Sequence, residues 1–265
     1  MSIRVDRYSE GPPIREGYVP IPGRQLYFRE IGDGPPLVIL HGGPDFNHSY
    51  LLPEMDRLAS AFRLIYYDQR GRGRSSAGVD VDDVTIDSEV DDLDRLRQHF
   101  GLSEIALLGH SWGGLLAMEF ITRHPDRVSH LILMNSAPAS HADLLRFREQ
   151  RKVAEKVGLA RMEAISRTTE YAQGDVETKA EYYRAHFGAT LRGPEQLEDL
   201  VRRLRVDFTP KDILKARAIE EKLYRETWDA EDYDPAASAS IVDDSNARAP
   251  QQLRVRPFAV REQYR

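Results

Sequence analysis

The sequence GHSWG at residues 109–113 places one serine, Ser111, between two glycines, Gly109 and Gly113. The residues before it, IALL, are typical of a buried strand, and those after it, LLAMEFI, of an apolar helix. A sharp turn from a strand into a helix lifts a serine hydroxyl clear of the carboxyl edge of a sheet. The flanking residues must be small, because the two backbones run close together. This context predicts that Ser111 is a nucleophile; the alternative is an ordinary N-cap serine.

A second glycine-rich segment, HGGP at residues 41–44, follows the predicted strand 36–40. A serine that attacks an acyl group needs backbone N–H donors at the position where the oxyanion forms. We predict that the N–H groups of Gly43 and Trp112 are these donors. Taken alone, HGGP could be a Gly-Pro turn without function. Its pairing with the Ser111 segment favours the catalytic interpretation.

The elements that must position these segments alternate between strands and helices. The predicted strands are 17–22, 25–31, 36–40, 63–67, 104–108 and 128–134, and the predicted helices are 50–61, 86–100 and 112–124. Alternation in units of about 30 residues is typical of a parallel sheet covered on both faces. The sequence therefore predicts an α/β fold with a mostly parallel sheet.

The character of the chain changes after residue 140. The pattern becomes charged and helical, which predicts a helical insertion that sits on the sheet domain. Breaks between its helices are expected at Gly158, Gly174, Gly188 and Gly193-Pro194. The predicted organisation is a core over residues 1–140, a helical insertion over 141–230 and a divergent C-terminal tail over 231–265.

Composition argues against several classes of protein. The 265 residues include 37 Lys+Arg, 43 Asp+Glu and no Cys, for a formal charge of −6. Without cysteine there are no disulfides, thiolate zinc sites or cysteine nucleophiles. The mildly acidic balance gives no reason to expect a nucleic acid or an anionic membrane as partner. No stretch approaches the ~18 apolar residues of a membrane span, and no apolar signal segment is visible, so a cytoplasmic protein is expected.

Two further kinds of site find no support in the sequence. No HExxH motif or pair of histidines at ligand spacing on one helix occurs, so no metal is expected. The segment GRGRSS at 71–76 fails as a dinucleotide loop, because Ser76 stands where that loop needs its third glycine. The arginines of this segment are predicted to be structural.

Together HGGPD (41–45), DQRGRGRS (68–75) and GHSWGG (109–114) resemble the α/β-hydrolase fold family, and within it the proline iminopeptidase (prolyl aminopeptidase) group. The resemblance is close over residues 17–140 and loose over 141–230, which correspond to that family's cap domain. It implies the nucleophile Ser111, the donors Gly43 and Trp112, and a small-molecule or short-peptide substrate. It implies no cofactor, since serine acyl transfer needs none. Asp45 stands where the family motif usually ends in glycine.

Peptidases of this group recognise the free α-amine of the substrate with carboxylates of the cap. The resemblance therefore implies Glu220, Glu221 and Glu226 as candidates for amine binding. The alternative is that all three are solvated glutamates on the surface of a helical segment.

The mechanism also needs an acid and a base, in the chain order Ser, then Asp or Glu, then His. The family would place both after the cap. Asp243 and Asp244 are the positional candidates for the acid, although neither follows a predicted strand. None of the eight histidines lies after His186, so the triad base has no candidate at the family position.

Three histidines nearer Ser111 are weaker candidates for the base. His141 follows the strand 128–134, His110 lies inside the turn itself, and His41 is expected to brace the oxyanion segment. The base therefore stays unassigned.

Residues 231–265 contain no run typical of a buried strand, so the last strands of the sheet are expected to be missing. Two functions compete. The first is a serine hydrolase that releases an N-terminal proline or a similar residue. The second is a catalytically impaired relative that at most binds a small ligand. An exposed sheet edge would favour poor stability or self-association, and the oligomeric state is otherwise open.

Overall fold

The computed structural model describes residues 12–191, 193–205 and 209–229 of the chain. Six strands form one sheet in the order β1-β2-β4-β3-β5-β6. The strands are β1 (Ile14–Ile21), β2 (Arg24–Ile31), β3 (Pro36–Leu40), β4 (Arg63–Tyr67), β5 (Ile105–His110) and β6 (Val128–Met134). The hairpin β1–β2 is antiparallel and joins β4 in the antiparallel sense, whereas β4, β3, β5 and β6 are mutually parallel. The predicted mostly parallel sheet is confirmed.

The central strands β3 and β4 each end in four consecutive buried residues. Such runs arise where both faces of a parallel sheet are covered, because neither face then needs polar side chains. The register pairs Leu40 of β3 with Gly109 of β5. Since parallel strands end at the same edge, the segments HGGP and GHSWG leave the sheet side by side.

Two helices between the strands cover one face of the sheet. Helix α1 (Ile86–His99) begins at Thr85, whose hydroxyl accepts a hydrogen bond from the Ser88 N–H in a capping box. Helix α2 (Trp112–Arg123) follows Ser111 directly and is buried along much of its length. Both helices pack in one hydrophobic cluster with side chains from β3, β4 and β5.

The helix expected over residues 50–61 is wrong. The structure has two short 3₁₀ segments instead, His48–Leu51 and Met55–Ser60. Pro53 lies between them, and a proline lacks the N–H that a continuous helix would need there. The apolar spacing was compatible with a helix, but the proline interrupts it.

In the described part of the chain, six helices follow β6. They are α3 (His141–Ala154), α4 (Lys156–Ser166), α5 (Thr169–Ala172), α6 (Val176–Phe187), α7 (Pro194–Arg205) and α8 (Pro210–Tyr224), and a π-helical turn, Arg225–Asp229, continues α8. The expected break at Gly158 is wrong, because α4 runs through it. A Cβ atom on Gly158 would lie 2.8 Å from the Ala185 carbonyl oxygen, so this glycine allows α4 to approach α6.

These later helices contact both faces of the sheet. Ile219 and Leu223 of α8 join the cluster that contains α1 and α2. On the opposite face, α6 and α7 pack with alternate residues of β3 and β4. The assignment of residues 141–230 as a cap stays a prediction. Within the described ranges, no helix combines the length and the apolar character that spanning a membrane requires.

The arginine-rich loop after β4 is anchored on α1. Arg70 forms two hydrogen bonds with the Asp92 carboxylate, at 2.8 and 2.6 Å. The fully buried Arg72 donates to Glu89 at 2.9 Å. Buried charges need such partners, because an isolated ion loses its hydration without compensation. This loop therefore has a structural role beside the candidate site.

Candidate active site

The Ser111 backbone adopts a conformation that is rare for residues with a side chain. Its φ is 53° and its ψ is −117°, so it lies on the positive-φ side that normally favours glycine. A Cβ atom on Gly109 would lie 2.3 Å from the Gly113 carbonyl oxygen, and one on Gly113 would lie 2.3 Å from the Leu40 carbonyl oxygen. The elbow (residues 109–113) therefore requires both glycines, because the backbones of β5, α2 and β3 nearly touch.

The end of β6 and the segment that follows it hold the elbow in this conformation. The Ser111 N–H donates to the Met134 carbonyl at 3.2 Å, and the Ser111 carbonyl accepts from the Ala137 N–H at 2.9 Å. Backbone strain persists only where the surrounding structure over-determines it. The neighbouring strand supplies that constraint on both sides of the Ser111 peptide.

The two predicted oxyanion donors lie at the same edge of the sheet. Trp112 is the first residue of α2, so its N–H has no acceptor within the helix. Gly43 has a φ of +55°, and its carbonyl accepts from the Phe46 N–H at 3.0 Å. Among the residues that the structure describes, neither the Gly43 nor the Trp112 N–H donates to a protein group. Two free N–H groups beside a serine can stabilise an oxyanion; the role stays a prediction.

The oxyanion loop (residues 41–46) is fixed by a short chain of hydrogen bonds. The Gly42 N–H donates to the Tyr50 hydroxyl at 2.7 Å, and that hydroxyl is hydrogen-bonded to His110 Nδ1 at 2.5 Å. Burial lowers the pKa of His110, which favours the neutral ring. These hydrogen bonds engage the Gly42 N–H and leave the Gly43 N–H as the next free donor along the backbone.

His41 braces the same loop. Its Nδ1 donates to the Gly42 carbonyl at 3.0 Å, and its Nε2 accepts from the Gln69 N–H at 3.1 Å. Burial lowers the pKa of His41 to about 3, which keeps the ring neutral. Because both ring nitrogens are occupied, His41 has no free nitrogen with which to take a proton from Ser111.

A buried ion pair ties the oxyanion loop to α6. Asp45 Oδ2 accepts from Lys179 Nζ and from the Tyr183 hydroxyl, each at 2.9 Å. Burial alone would lower the pKa of Lys179, but the Asp45 carboxylate outweighs burial and raises it. The lysine is therefore charged. Asp45 stands out in the sequence because the family motif usually has glycine at this position, but nothing in the local sequence indicates its partners.

The three candidate amine-binding glutamates differ in environment. Glu220 is partly buried, and its pKa is raised to about 8 by burial and by the nearby Asp45 carboxylate. Glu221, the adjacent residue, is exposed. Glu226 Oε1 accepts from the N–H of Ile86, the first residue of α1, at 3.1 Å. Of the three, only Glu220 lies near the oxyanion loop in an electrostatically perturbed state.

An aromatic group connects the end of α8 to the elbow. The rings of Trp112 and Tyr224 lie 6.2 Å apart, those of Trp112 and Trp228 lie 6.1 Å apart, and those of Tyr224 and Trp228 lie 5.0 Å apart. Edge-on packing of this kind is favourable for aromatic rings. Tyr224 lies one turn after Glu220 on α8, so this contact connects the helix that carries Glu220 to the elbow.

No base is positioned on Ser111 by the described residues. Within them, the Ser111 side chain forms no hydrogen bond. His141 Nδ1 donates instead to the Trp228 carbonyl. The positions of all eight histidines are described: 41, 48, 99, 110, 124, 130, 141 and 186. The acid candidates Asp243 and Asp244 lie outside the described residues, so the base and the acid both stay unassigned.

Metal ligands are a separate question. Across ranges 12–191, 193–205 and 209–229, no group of three or more His, Asp or Glu side chains could hold a metal ion. The chemistry that the described site can support is nucleophilic attack by a serine hydroxyl next to two backbone donors.

Comparison with known proteins agrees with this geometry. The profile of the alpha/beta hydrolase fold family matches residues 35–239. A proline iminopeptidase from Lactobacillus helveticus is 31% identical over 235 residues, which cover 84% of this chain and 73% of that protein. One from Saccharolobus solfataricus is 36% identical over 159 residues, covering 57% of this chain and 51% of that protein.

A solved structure gives the same result. The proline iminopeptidase of Mycobacterium smegmatis superposes with a TM-score of 0.54 at 25% identity, over 78% of this chain and 70% of that one. The shared feature is the fold. The chain therefore belongs to the α/β hydrolase fold family, and proline iminopeptidases are among its relatives.

Proposed function

We propose that this protein is a serine hydrolase that acts as an aminopeptidase, releasing an N-terminal proline or a similar residue from small or short-peptide substrates. The observation that carries the proposal is the strained Ser111 beside the free N–H groups of Gly43 and Trp112. The relatives named above supply the substrate class. We also propose residues 141–230 as the cap that covers this edge of a core formed by residues 1–140.

The proposed reaction has two steps. Ser111 Oγ attacks the carbonyl carbon of the first residue, and the oxyanion that forms accepts hydrogen bonds from Gly43 and Trp112. The C–N bond then breaks, the departing amine takes a proton, and an ester links Ser111 to the first residue. Water hydrolyses this ester and restores the hydroxyl. Both steps need a group that moves the proton, and that group is unassigned.

Glu220 is our candidate for recognition of the free α-amine. It lies within electrostatic reach of Asp45, which follows the donor Gly43 by two residues. The Lys179 ammonium is already paired with Asp45, and together with Arg217 it only partly offsets the effect of burial and of the Asp45 carboxylate on Glu220. A substrate ammonium would add a positive charge there and favour loss of the Glu220 proton.

The first experiment is labelling of the intact protein with a fluorophosphonate, with Ser111→Ala as the control. We expect labelling of the wild type and none of the variant. A chromogenic amide of proline and its N-acetylated counterpart then test the substrate class. Cleavage of only the free amine supports an aminopeptidase, whereas equal cleavage of both restricts the proposal to a general serine hydrolase.

The same labelling decides the alternative. In the described residues no group bonds the Ser111 hydroxyl, and this observation favours a relative that keeps the site without turnover. Folded wild-type protein that fails to react with the probe would establish that alternative and overturn the proposed activity.

A further inference from the structure

The buried pair Asp45–Lys179 links two parts of the molecule that are 134 residues apart in sequence. The side chains are 6% and 3% exposed, respectively, so both charges are almost fully removed from water. Removing charges from water is costly, and the cost is offset only by good geometry and additional hydrogen bonds. The Tyr183 hydroxyl supplies such a bond to the same carboxylate oxygen.

The lysine ammonium is also surrounded by aromatic rings. Lys179 Nζ lies 4.7 Å from the ring centre of Tyr183, 5.1 Å from that of Tyr182 and 5.9 Å from that of Tyr171. A cation within about 6 Å of a ring centre is attracted by the ring's quadrupole, most strongly where water is absent. The ammonium is therefore held at a defined point over the oxyanion loop.

The segment that follows Gly43 is anchored at that same point. The Phe46 ring packs against Tyr183 at 5.3 Å and against Phe187 at 5.8 Å. A Cβ atom on Gly43 would lie 2.5 Å from the Phe46 ring, so Gly43 and Phe46 cannot move independently. The backbone of this loop carries the proposed donor, and its side chains, Asp45 and Phe46, are held by α6.

We propose that Asp45 and Lys179 are a positioning pair, which fixes the Gly43 N–H for the oxyanion by attaching the oxyanion loop to α6. The proposal rests on the proposed function, because it assigns the pair a role in that reaction. Neither residue is placed against the reacting atoms; both act through the Gly43 peptide. A purely structural pair is the competing explanation.

The test compares four proteins: wild type, Lys179→Met, the double variant Asp45→Asn/Lys179→Met, and Lys152→Met. The last removes an exposed lysine of α3, paired with Glu149 at the surface, and serves as the matched control. The double variant removes both charges and leaves an amide that can still accept from Tyr183. It is expected to regain the thermal stability that Lys179→Met loses, because no unpaired buried charge remains.

Kinetics of ester or amide hydrolysis separate the two explanations. Loss of one oxyanion donor lowers kcat by about 10²–10³-fold, so its misplacement should lower kcat by about 10- to 100-fold with a smaller change in KM. We expect this loss in both Lys179→Met and the double variant, and none in Lys152→Met. Recovery of kcat together with stability in the double variant would overturn the proposal.

A second readout does not depend on turnover. Hydrogen–deuterium exchange should be faster in residues 42–50 of both Lys179 variants, with β1 and β2 unchanged, since the attachment of the loop to α6 is weakened. If the wild type hydrolyses nothing, the proposed function fails, while this measurement still decides whether the pair positions the loop. Unchanged exchange in residues 42–50 would overturn the positioning role.

Discussion

The elbow and the oxyanion loop lie side by side, yet they are held in different ways. In the elbow, Gly109 and Gly113 allow backbone segments to approach so closely that a side chain at either position would not fit. The oxyanion loop is held by side chains: His41 of the loop itself, Tyr50 shortly after it and Lys179 from α6. The position of Ser111 is thus set by the path of the backbone, whereas the position of Gly43 depends on several separate side-chain contacts.

The largest effect should come from the elbow. Gly113→Ala places a methyl group 2.3 Å from the Leu40 carbonyl oxygen and 2.7 Å from that of His41, well inside van der Waals contact. Backbone atoms cannot rotate away, so we expect the free energy of unfolding to fall by about 3 kcal/mol or more. Denaturant unfolding measures this loss. Gly193→Ala is the control, because a Cβ atom there meets nothing within 4 Å; equal loss in both would contradict the comparison.

A smaller, graded effect is expected in the oxyanion loop. Tyr50→Phe removes the acceptor of the Gly42 N–H and the hydrogen-bond partner of His110 while keeping the aromatic ring. One misplaced hydrogen bond is worth roughly 1 kcal/mol, so kcat should fall about 5- to 10-fold with KM nearly constant. Tyr18→Phe, the control at an exposed tyrosine, should have the same kcat and KM as the wild type. A Tyr50→Phe enzyme with unchanged kcat would show that the loop does not depend on this bond.

Between the two regions lies Glu220, which makes the comparison sensitive to pH. The pKa of Glu220 is raised to about 8, so below that pH an α-ammonium binds with release of the Glu220 proton. The pKa of an α-amine is also about 8, so above that pH the neutral amine must take up a proton when it binds. The KM for a free-amine substrate should therefore pass through a minimum near pH 8. In Glu220→Gln the minimum should flatten and KM should rise several-fold. A minimum lost in Glu221→Gln instead would move the role to the adjacent residue.

The same raised pKa has a consequence for stability. The folded-state pKa exceeds the ordinary value of 4.5, so ionisation of Glu220 destabilises the folded protein progressively as pH rises from about 4.5 to about 8. Glu220→Gln should gain stability relative to the wild type across that interval and keep the gain above it. Thermal unfolding at pH 5 and pH 9 measures the difference. A constant difference at both pH values would mean that Glu220 is ionised throughout.

The smallest effect is expected at Glu226, far from the loop contacts. Its carboxylate faces the N-terminus of α1, where a negative charge interacts favourably with the helix dipole. Glu226→Gln keeps an acceptor for the Ile86 N–H and loses only the charge, which is worth about 0.3–1 kcal/mol. Denaturant unfolding should show this decrease, with KM for amine substrates unaltered. A raised KM would return Glu226 to the list of amine-binding candidates.

The sequence predicted the central strands well because their signal is local. The bounds of β3, β4 and β6 were predicted to the residue from short apolar runs, and the turn around Ser111 was evident from its strand and helix neighbours. The helix predicted over residues 50–61 was wrong, because the apolar spacing on which it rested takes no account of Pro53.

The contacts of the oxyanion loop could not be predicted in the same way. Lys179 contacts Asp45 only after the chain has added three more strands to the sheet and formed part of the helical segment, and no periodicity in the sequence predicts such a contact. In the sequence, nothing distinguishes Tyr50 from the apolar residues of its segment. The role of its hydroxyl depends on the fold, which places it against the Gly42 N–H. The one available sign was Asp45 in place of glycine, a buried charge that had to find a partner.

The order of the strands also bears on how the protein is made. All six strands of the described residues, and the backbone hydrogen bonds that they and the next segment make to Ser111, lie before residue 138, whereas Lys179 belongs to α6. Domains fold as units from the N-terminus during synthesis. A nascent chain therefore contains the described backbone partners of Ser111 before it contains Lys179, the partner of Asp45. Translation makes these two sets of contacts available at different times.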